Sequence, residues 1–301
     1  GEPLMVATLS WVSTLFGGVS AVGGVLAWFP VVSAVVTALL VYVLAVRLTE
    51  DRRVGIAAVA LLAIMPGHAF RTGLGFADHH AFDYPWLAVT ALAVVSLIGR
   101  DAPDRRDWRT WAWGLALGVG VAGQTLAWDA GPLLLVPLGL FVAGAVPSWV
   151  RAGRSPVRET AGILGGLALA AVVVLLVHTQ WGWHTRVVSL APVLLLGGSV
   201  VLVTLGEAAR RFDVPARILV GGEAVVGVGG FAAVWTLFPD FADELGRGVD
   251  FLISTGGIAE TASIVSGDLG SIIGPIFLFG FALFVALPYM GWAIWRWYRA
   301  D

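Results

Sequence analysis

The sequence predicts an all-α membrane protein that crosses the bilayer about nine times. Of its 301 residues, 58% are hydrophobic and 13% are charged, whereas about 25% of the residues in a soluble domain are charged. The apolar residues form long runs separated by short connections. Those connections alternate between many arginines and few, which is typical of a chain that passes back and forth through a membrane. We therefore expect a single membrane domain over residues 1–301.

The amino-terminal region predicts an interfacial segment followed by the first span. Residues 3–46 carry no charge, but glycine pairs at 17–18 and 23–24 interrupt the run. The apolar piece at 4–16 is too short to cross a hydrocarbon core of about 30 Å. We therefore interpret 1–26 as an external interfacial segment. The predicted spans lie at about 27–47, 54–72, 80–99, 110–127, 130–149, 159–178, 187–206, 217–238 and 269–295.

The arginines predict the orientation of these spans. Fifteen of the 18 arginines fall in alternate connections, and only Arg71, Arg186 and Arg247 fall in the others. Because arginine-rich connections stay in the cytoplasm, we expect the amino end outside and the carboxyl end in the cytoplasm. The stretch 65–80 and the long polar loop 239–268 then both lie on the extracellular face of the cell membrane.

The stretch 65–80, MPGHAFRTGLGFADHH, concentrates ionisable groups where the chain turns around. Such groups beside a bilayer are costly and usually functional. Residues i and i+2 face the same side of an extended segment but not of a helix, so Asp78 and His80 can share a metal only in a loop or at a frayed helix start. By the same geometry, His79 is expected to turn away from Asp78. The alternative is that Asp-x-His in a loop occurs here by chance.

Two further side chains are candidates for the same site. The Arg71 guanidinium is suited to binding a phosphate or carboxylate through two parallel hydrogen bonds; alternatively it reaches to the interface or pairs with Asp78. Glu260 lies in the long loop, and loops of this length are usually functional or disordered. It is placed to reach a metal or accept a hydrogen bond from an amide, unless it is simply a solvated charge.

Other features narrow the possibilities. The chain has no cysteine, which excludes disulfides and thiolate metal sites, and no basic tract that would bind nucleic acid. Residues 127–132 predict a tight outer connection. Trp181, Trp183 and His184 are interpreted as part of an interfacial aromatic belt. Asp83, one turn into a predicted span, is expected to face protein or water.

The pattern Pro66-Gly67, Arg71-Thr72, Gly75, Asp78-x-His80 resembles the second acidic motif of oligosaccharyltransferase catalytic subunits. Its Asp-His-His form is most similar to the archaeal AglB-type family, notably that of halophiles. Ala127-Trp128 with Gly131 is similar to the A-W-x-G turn of the family, and Gly257-Ile-Ala-Glu260 resembles its T-I-x-E motif, with glycine in place of the usual threonine.

This resemblance implies a GT-C type membrane glycosyltransferase. Such an enzyme moves an oligosaccharide from a dolichyl phosphate carrier to the asparagine of an N-x-S/T sequon. Asp78 and His80 would then ligate Mn²⁺ or Mg²⁺, and Glu260 would contact the metal or the acceptor amide. Arg71 would support the acidic loop or the lipid-linked phosphate. The partners implied are the lipid-linked oligosaccharide, an acceptor protein and membrane lipids, with no nucleic acid.

Two family landmarks are not in the sequence. The first catalytic aspartate of the family lies in an external loop upstream of Gly1, and the soluble domain with the W-W-D-Y-G motif would follow Asp301. We therefore expect the chain to be the membrane portion only, inactive by itself. Two other functions remain as alternatives. The first is a different GT-C lipid-phosphate-sugar transferase, such as a mannosyltransferase, which would not be expected to keep the Glu260 motif. The second is a polytopic transporter or flippase, which predicts charges inside its spans.

Overall fold

The computed structural model describes residues 2–98, 107–239, 242–243, 246, 274–280 and 282–299. Within these ranges every regular element is helical. The helices are α1 (Pro3–Phe16), α2 (Val22–Thr49), α3 (Arg52–Ile64), α4 (Pro66–Arg71), α5 (His79–Ile98), α6 (Trp108–Ala127), α7 (Val136–Arg151), α8 (Pro156–Glu159), α9 (Ala161–Trp181), α10 (Arg186–Arg211), α11 (Ala216–Leu237), α12 (Gly274–Phe279) and α13 (Ala282–Arg299). The prediction of an all-α polytopic fold is confirmed.

Six helical segments in the described ranges are long and apolar enough to cross a membrane, compared with the nine predicted. They are Gly18–Thr49, His79–Ile98, Gly131–Arg151, Ala161–Trp181, Arg186–Arg211 and Ala216–Leu237. Each overlaps a predicted span. The orientation of the termini remains a prediction.

The first glycine pair ends a helix and the second does not. Gly17 has φ 126° and Gly18 has φ 68°, backbone angles that only glycine adopts without strain, and α1 ends there. The pair at 23–24 lies inside α2, so the expected interruption at that point is wrong. The span therefore begins earlier than predicted.

The predicted span 54–72 is not one continuous helix. It divides at Met65 into α3 and α4, and Met65 has the extended angles φ −70° and ψ 115°. Proline has no amide hydrogen and pushes the preceding residue out of the helical region, so Pro66 ends one helix and starts the next. After the break, α4 ends at Arg71, whose Nη1 lies 3.6 Å from a carboxylate oxygen of Asp78.

Helix α6 is the centre of the bundle. Twelve of its 20 residues are buried, and it packs between α5 and α9. It is not among the six apolar segments because its buried face is rich in glycine, threonine and glutamine rather than large aliphatic residues. Sequence hydropathy alone therefore understates how deeply this helix is buried.

The contact between α6 and α9 is made by glycines. A Cβ atom on Gly114 would lie 2.8 Å from the carbonyl oxygen of Gly162, and one on Gly118 would lie 2.7 Å from that of Gly166. Small residues let membrane helices approach until their backbones touch. We call these four residues the glycine seam; it fixes the distance between the two helices.

An arginine–glutamate network lies at the end of the bundle away from Asp78. Glu207 accepts hydrogen bonds from Arg210 (2.5 Å), Arg211 (3.2 Å) and Ser155 (2.7 Å). Two nitrogens of Arg154 donate to the two carboxylate oxygens of Glu159, at 2.9 and 2.6 Å. Bidentate pairs of this kind fix the turn between helices as well as neutralising charge.

Candidate functional site

One end of the bundle brings together residues from four parts of the chain. Asp78 lies in the irregular segment before α5, and His79 and His80 are the first two residues of that helix. Arg71 ends α4, and Trp128 follows the last residue of α6. The expectation that Asp78 and His80 lie at a helix start is confirmed.

Asp78, His79 and His80 form a cluster with the composition of a metal site. Each offers one ligand atom, and these three atoms all lie within 4.8 Å of one another. Two nitrogen or oxygen donors bound to one ion at about 2.1 Å lie at most about 4.2 Å apart. The 4.8 Å limit exceeds that separation by about 0.6 Å, so the three atoms lie close to the spacing that a shared ion would require. We call these residues the Asp78–His80 cluster.

The expectation that His79 turns away from Asp78 is wrong. Its Nδ1 lies 2.9 Å from one carboxylate oxygen of Asp78 and 3.2 Å from that of Glu2. The alternation of side chains holds for an extended segment, whereas here His79 already belongs to the first turn of α5. Its ring centre lies 4.1 Å from that of His80. Its other nitrogen, Nε2, is buried and has no hydrogen-bond partner in the part of the chain that the structure describes.

Arg71 contacts the cluster through its charge. Its Nη1 lies 3.6 Å from the second oxygen of Asp78, and the two side chains are 25% and 24% exposed. The alternative in which Arg71 pairs with Asp78 is therefore the one observed. The distance is longer than a hydrogen bond, and both groups keep a quarter of their surface open.

Trp128 forms one wall of the site. Its ring lies 4.5 Å from that of His79 and 5.8 Å from that of His80, centre to centre. The backbone of Trp128 is extended, with φ −160° and ψ 166°, because α6 has ended at the residue before it. The sequence placed Trp128 in a tight outer connection but gave no sign that it packs against the cluster.

His184 has a different role from the one predicted. Its side chain is 1% exposed, and its Nδ1 lies 2.8 Å from a carboxylate oxygen of Asp129. Its Nε2 lies 3.1 Å from the carbonyl oxygen of Leu126. A buried imidazole with two partners is not a residue of an interfacial belt. No local pattern could have shown this, because the pair joins residues 55 positions apart.

Asp83 lies one turn below the cluster on α5. It is 4% exposed, so it is surrounded by protein, which is one of the two environments expected for it. Its Oδ1 makes no hydrogen bond within the described ranges. Nearby, the ring of His68 lies 5.3 Å from that of Tyr84. These groups form a second polar layer beneath the cluster.

Glu260 lies outside the described residues, as does most of the predicted loop 239–268. Its assignment as a metal ligand or amide acceptor remains a prediction.

The fold and the site define a class: a polytopic membrane protein with a carboxylate–imidazole cluster at one mouth of its helical bundle. Residues 3–238 match the family described as oligosaccharyl transferase STT3, N-terminal. The chain belongs to this family, and the sequence-based assignment to archaeal AglB-type oligosaccharyltransferases is confirmed.

Two curated relatives are archaeal. The chain is 26% identical over 288 residues to dolichyl-phosphooligosaccharide-protein glycotransferase 3 of Archaeoglobus fulgidus, covering 87% of this chain and 32% of the relative. It is 26% identical over 259 residues to dolichyl-monophosphooligosaccharide–protein glycotransferase AglB of Haloferax volcanii, covering 78% of this chain and 24% of the relative. The chain thus spans about a third or less of these proteins.

Solved structures of the Archaeoglobus fulgidus oligosaccharyltransferase share the fold. The complex of AglB with an inhibitory peptide and a dolichol-phosphate has a TM-score of 0.76 at 23% identity, over 98% of this chain and 36% of that one. The complex with an acceptor peptide containing the NVT sequon has a TM-score of 0.70 at 21% identity, over 99% and 36%. The complex with Zn and sulfate has a TM-score of 0.63 at 21% identity, over 99% and 35%.

Proposed function

We propose that the protein carrying this chain transfers an oligosaccharide from a dolichyl phosphate carrier to the asparagine of an N-x-S/T sequon. The observation that carries the proposal is the Asp78–His80 cluster, placed at the mouth of a bundle whose family and relatives are oligosaccharyltransferases. The solved relatives hold a dolichol-phosphate in one case and a sequon peptide in another. Those two ligands are the donor carrier and the acceptor that the proposal requires.

The residues of the cluster fit a divalent cation. Asp78 supplies a carboxylate oxygen, and His80 and His79 supply imidazole nitrogens. Nε2 of His79 has no hydrogen-bond partner among the described residues and so is open to a ligand. Glu260 is proposed as a further ligand from the loop. Carboxylates suit both Mg²⁺ and Mn²⁺, and two imidazoles favour Mn²⁺. The relative solved with Zn and sulfate supports a site for a divalent cation in this fold.

A bound cation would supply positive charge next to the departing phosphate oxygens. Arg71 would add the donors of its guanidinium to the same oxygens, since a quarter of its surface remains open beside Asp78. Asp78 and Glu260 would accept hydrogen bonds from the acceptor amide, and so hold a poor nucleophile in line for transfer. Trp128 would exclude water from one side.

The site is proposed to lie on the extracellular face of the cell membrane. Arg71 and the cluster occupy the arginine-poor end, and the arginine–glutamate network occupies the other. Since arginine-rich ends stay in the cytoplasm, the oligosaccharide donor must already have crossed the membrane when it reaches the cluster.

The test is a transfer assay on the full-length protein. It contains the lipid-linked donor and a fluorescent peptide with an Asn-x-Thr sequon, with and without EDTA, and includes the variants Asp78→Ala and Glu260→Ala. Glycopeptide that requires metal and both acids supports the proposal. Asp213→Asn is the matched control, because this exposed acid lies at the opposite end and asparagine tolerates its backbone angle, φ 52°; the loss of its charge should leave transfer unchanged. Sugar transferred to a lipid or another acceptor would favour a different GT-C transferase.

A further inference from the structure

His184 holds the chain on both sides of Trp128. One ring nitrogen faces the carboxylate of Asp129 at 2.8 Å, and the other faces the carbonyl oxygen of Leu126 at 3.1 Å. These two partners are the residue directly after Trp128 and the residue two before it. A single buried side chain from the α9–α10 connection therefore bridges the turn that carries this tryptophan.

The hydrogen-bond partners orient this imidazole. The carbonyl oxygen of Leu126 can only accept, so Nε2 donates to it, and Nδ1 then faces the carboxylate of Asp129. His184 and Asp129 form a hydrogen-bonded pair of which the imidazole side is almost fully buried.

The backbone explains how His184 arrives there. Helix α9 ends at Trp181, and the next residue, Gly182, caps it with the left-handed angles φ 61° and ψ 33°, a conformation that favours glycine. The chain reverses at this residue, and Thr185 caps the next helix through its hydroxyl. Between these two fixed points the chain has room for only two residues, and the second of them is His184.

We propose that the His184–Asp129 pair positions Trp128 against the two imidazoles of the Asp78–His80 cluster. Trp128 contacts His79 and His80 on one side and is flanked by the two partners of His184 in sequence. Without the pair, the turn after α6 loses its link to the α9–α10 connection, while the Gly131 amide still donates to the carbonyl oxygen of Trp128 at 3.0 Å. We expect the ring to move away from the imidazoles. The two histidines then lose the wall that holds them in reach of one ion. This inference rests on the proposed metal site, although the position of Trp128 does not.

The experiment uses the full-length protein labelled with 5-fluorotryptophan in detergent or nanodiscs. The ¹⁹F signal of Trp128 is the one that disappears in Trp128→Phe. We expect this signal to shift in His184→Ala and in Asp129→Ala, and to stay in place in Asp129→Asn, which keeps an acceptor oxygen. His178→Gln is the matched control, since this histidine lies on the last turn of α9 and makes no side-chain hydrogen bond within the described ranges.

A second readout is the affinity for Mn²⁺, measured by electron paramagnetic resonance. Substitutions that disturb the support of metal ligands typically weaken binding about 10- to 100-fold, and we expect about 10-fold for Asp129→Ala and His184→Ala. An unmoved Trp128 signal in both variants would overturn the inference, as would a shifted signal with unchanged Mn²⁺ affinity. A third outcome is that the Trp128 signal shifts in the variants although the unaltered protein binds no Mn²⁺. That result would support the role of the pair in placing Trp128 and would overturn the metal site instead. Because the Asp129 side chain is 53% exposed, Asp129→Ala remains testable even where His184→Ala fails to fold.

Discussion

The two ends of the helical bundle both hold clustered charges, but the hydrogen bonds between those charges differ. In the arginine–glutamate network, Glu207 has three side-chain donors and Glu159 has two. In the Asp78–His80 cluster, Nε2 of His79 is buried and has no hydrogen-bond partner among the residues that the structure describes, and Arg71 stands 3.6 Å from the Asp78 carboxylate. Buried polar groups are normally paired, so this nitrogen is where a ligand would complete the contacts. The arginine–glutamate network fixes the fold.

The largest effect that separates the two ends is expected from Asp78→Asn. The substitution keeps the shape of the side chain but removes the charge that the cation and Arg71 require. Loss of one group that stabilises a transition state typically costs about 100- to 1000-fold in rate, and we expect transfer to fall by at least about 100-fold. Glycopeptide formation measures this, and circular dichroism melting should show an unchanged midpoint. An equal loss of stability would mean that Asp78 is a structural residue.

The next effect concerns the two imidazoles. His79→Ala and His80→Ala should each weaken Mn²⁺ binding by about 10- to 100-fold. Loss of a group that only supports the metal ligands typically weakens binding by a similar factor. A Mn²⁺ titration followed by electron paramagnetic resonance compares them directly. If only His80→Ala weakens binding, His79 serves to pair with Asp78 and Glu2 and the sequence-based choice of His80 as the ligand was right.

Arg71→Lys should have a smaller effect. Lysine keeps the charge beside Asp78 but lacks the planar fork that binds two phosphate oxygens at once. Loss of one hydrogen bond to a charged group costs about 1.5–3 kcal/mol, and since Arg71 is part exposed we expect the lower end, about 10-fold in the KM for the lipid-linked donor. The KM for the acceptor peptide should not change. An equal rise in both values would place Arg71 in support of the whole site.

The smallest effect on transfer is expected at the opposite end. Glu207→Gln keeps an acceptor for Ser155 but removes the charge that holds Arg210 and Arg211. A loss of about 1 kcal/mol lowers the melting temperature by about 2–4 °C in a domain of about 150–250 residues and by less in a larger protein. We expect a decrease of a few degrees at most, with transfer within about twofold of the unaltered enzyme. A large loss of transfer at unchanged stability would contradict the division between the two ends.

The sequence predicted the elements that depend on local pattern. The all-helical membrane fold, the start of α5 at Asp78–His80 and the break at Gly17-Gly18 follow from hydropathy, spacing and glycine geometry. The division at Pro66 could have been predicted from the same local patterns, because helices commonly end before a proline. The apolar run on both sides of it favoured one span instead.

The parts that the sequence could not predict depend on contacts between distant residues. His79 belongs to the cluster because α5 begins at this residue. Its side chain therefore follows the geometry of a helical turn and not the alternation of an extended segment. His184 reaches Asp129 across 55 positions, and the packing of Trp128 on the imidazoles depends on where α6 ends relative to α5. Hydropathy gives the helices but not the register between them.

That register has a consequence for the behaviour of the protein in different bilayers. Because α6 and α9 meet backbone to backbone at the glycine seam, they tilt as one rigid unit rather than sliding past each other. Helices adapt to a thinner or thicker membrane mainly by tilting. Trp128 follows the end of α6, and His184 follows the end of α9. The hydrogen bonds of His184 to the chain around Trp128 should therefore survive a change of lipid chain length that alters the exposure of the outer helices.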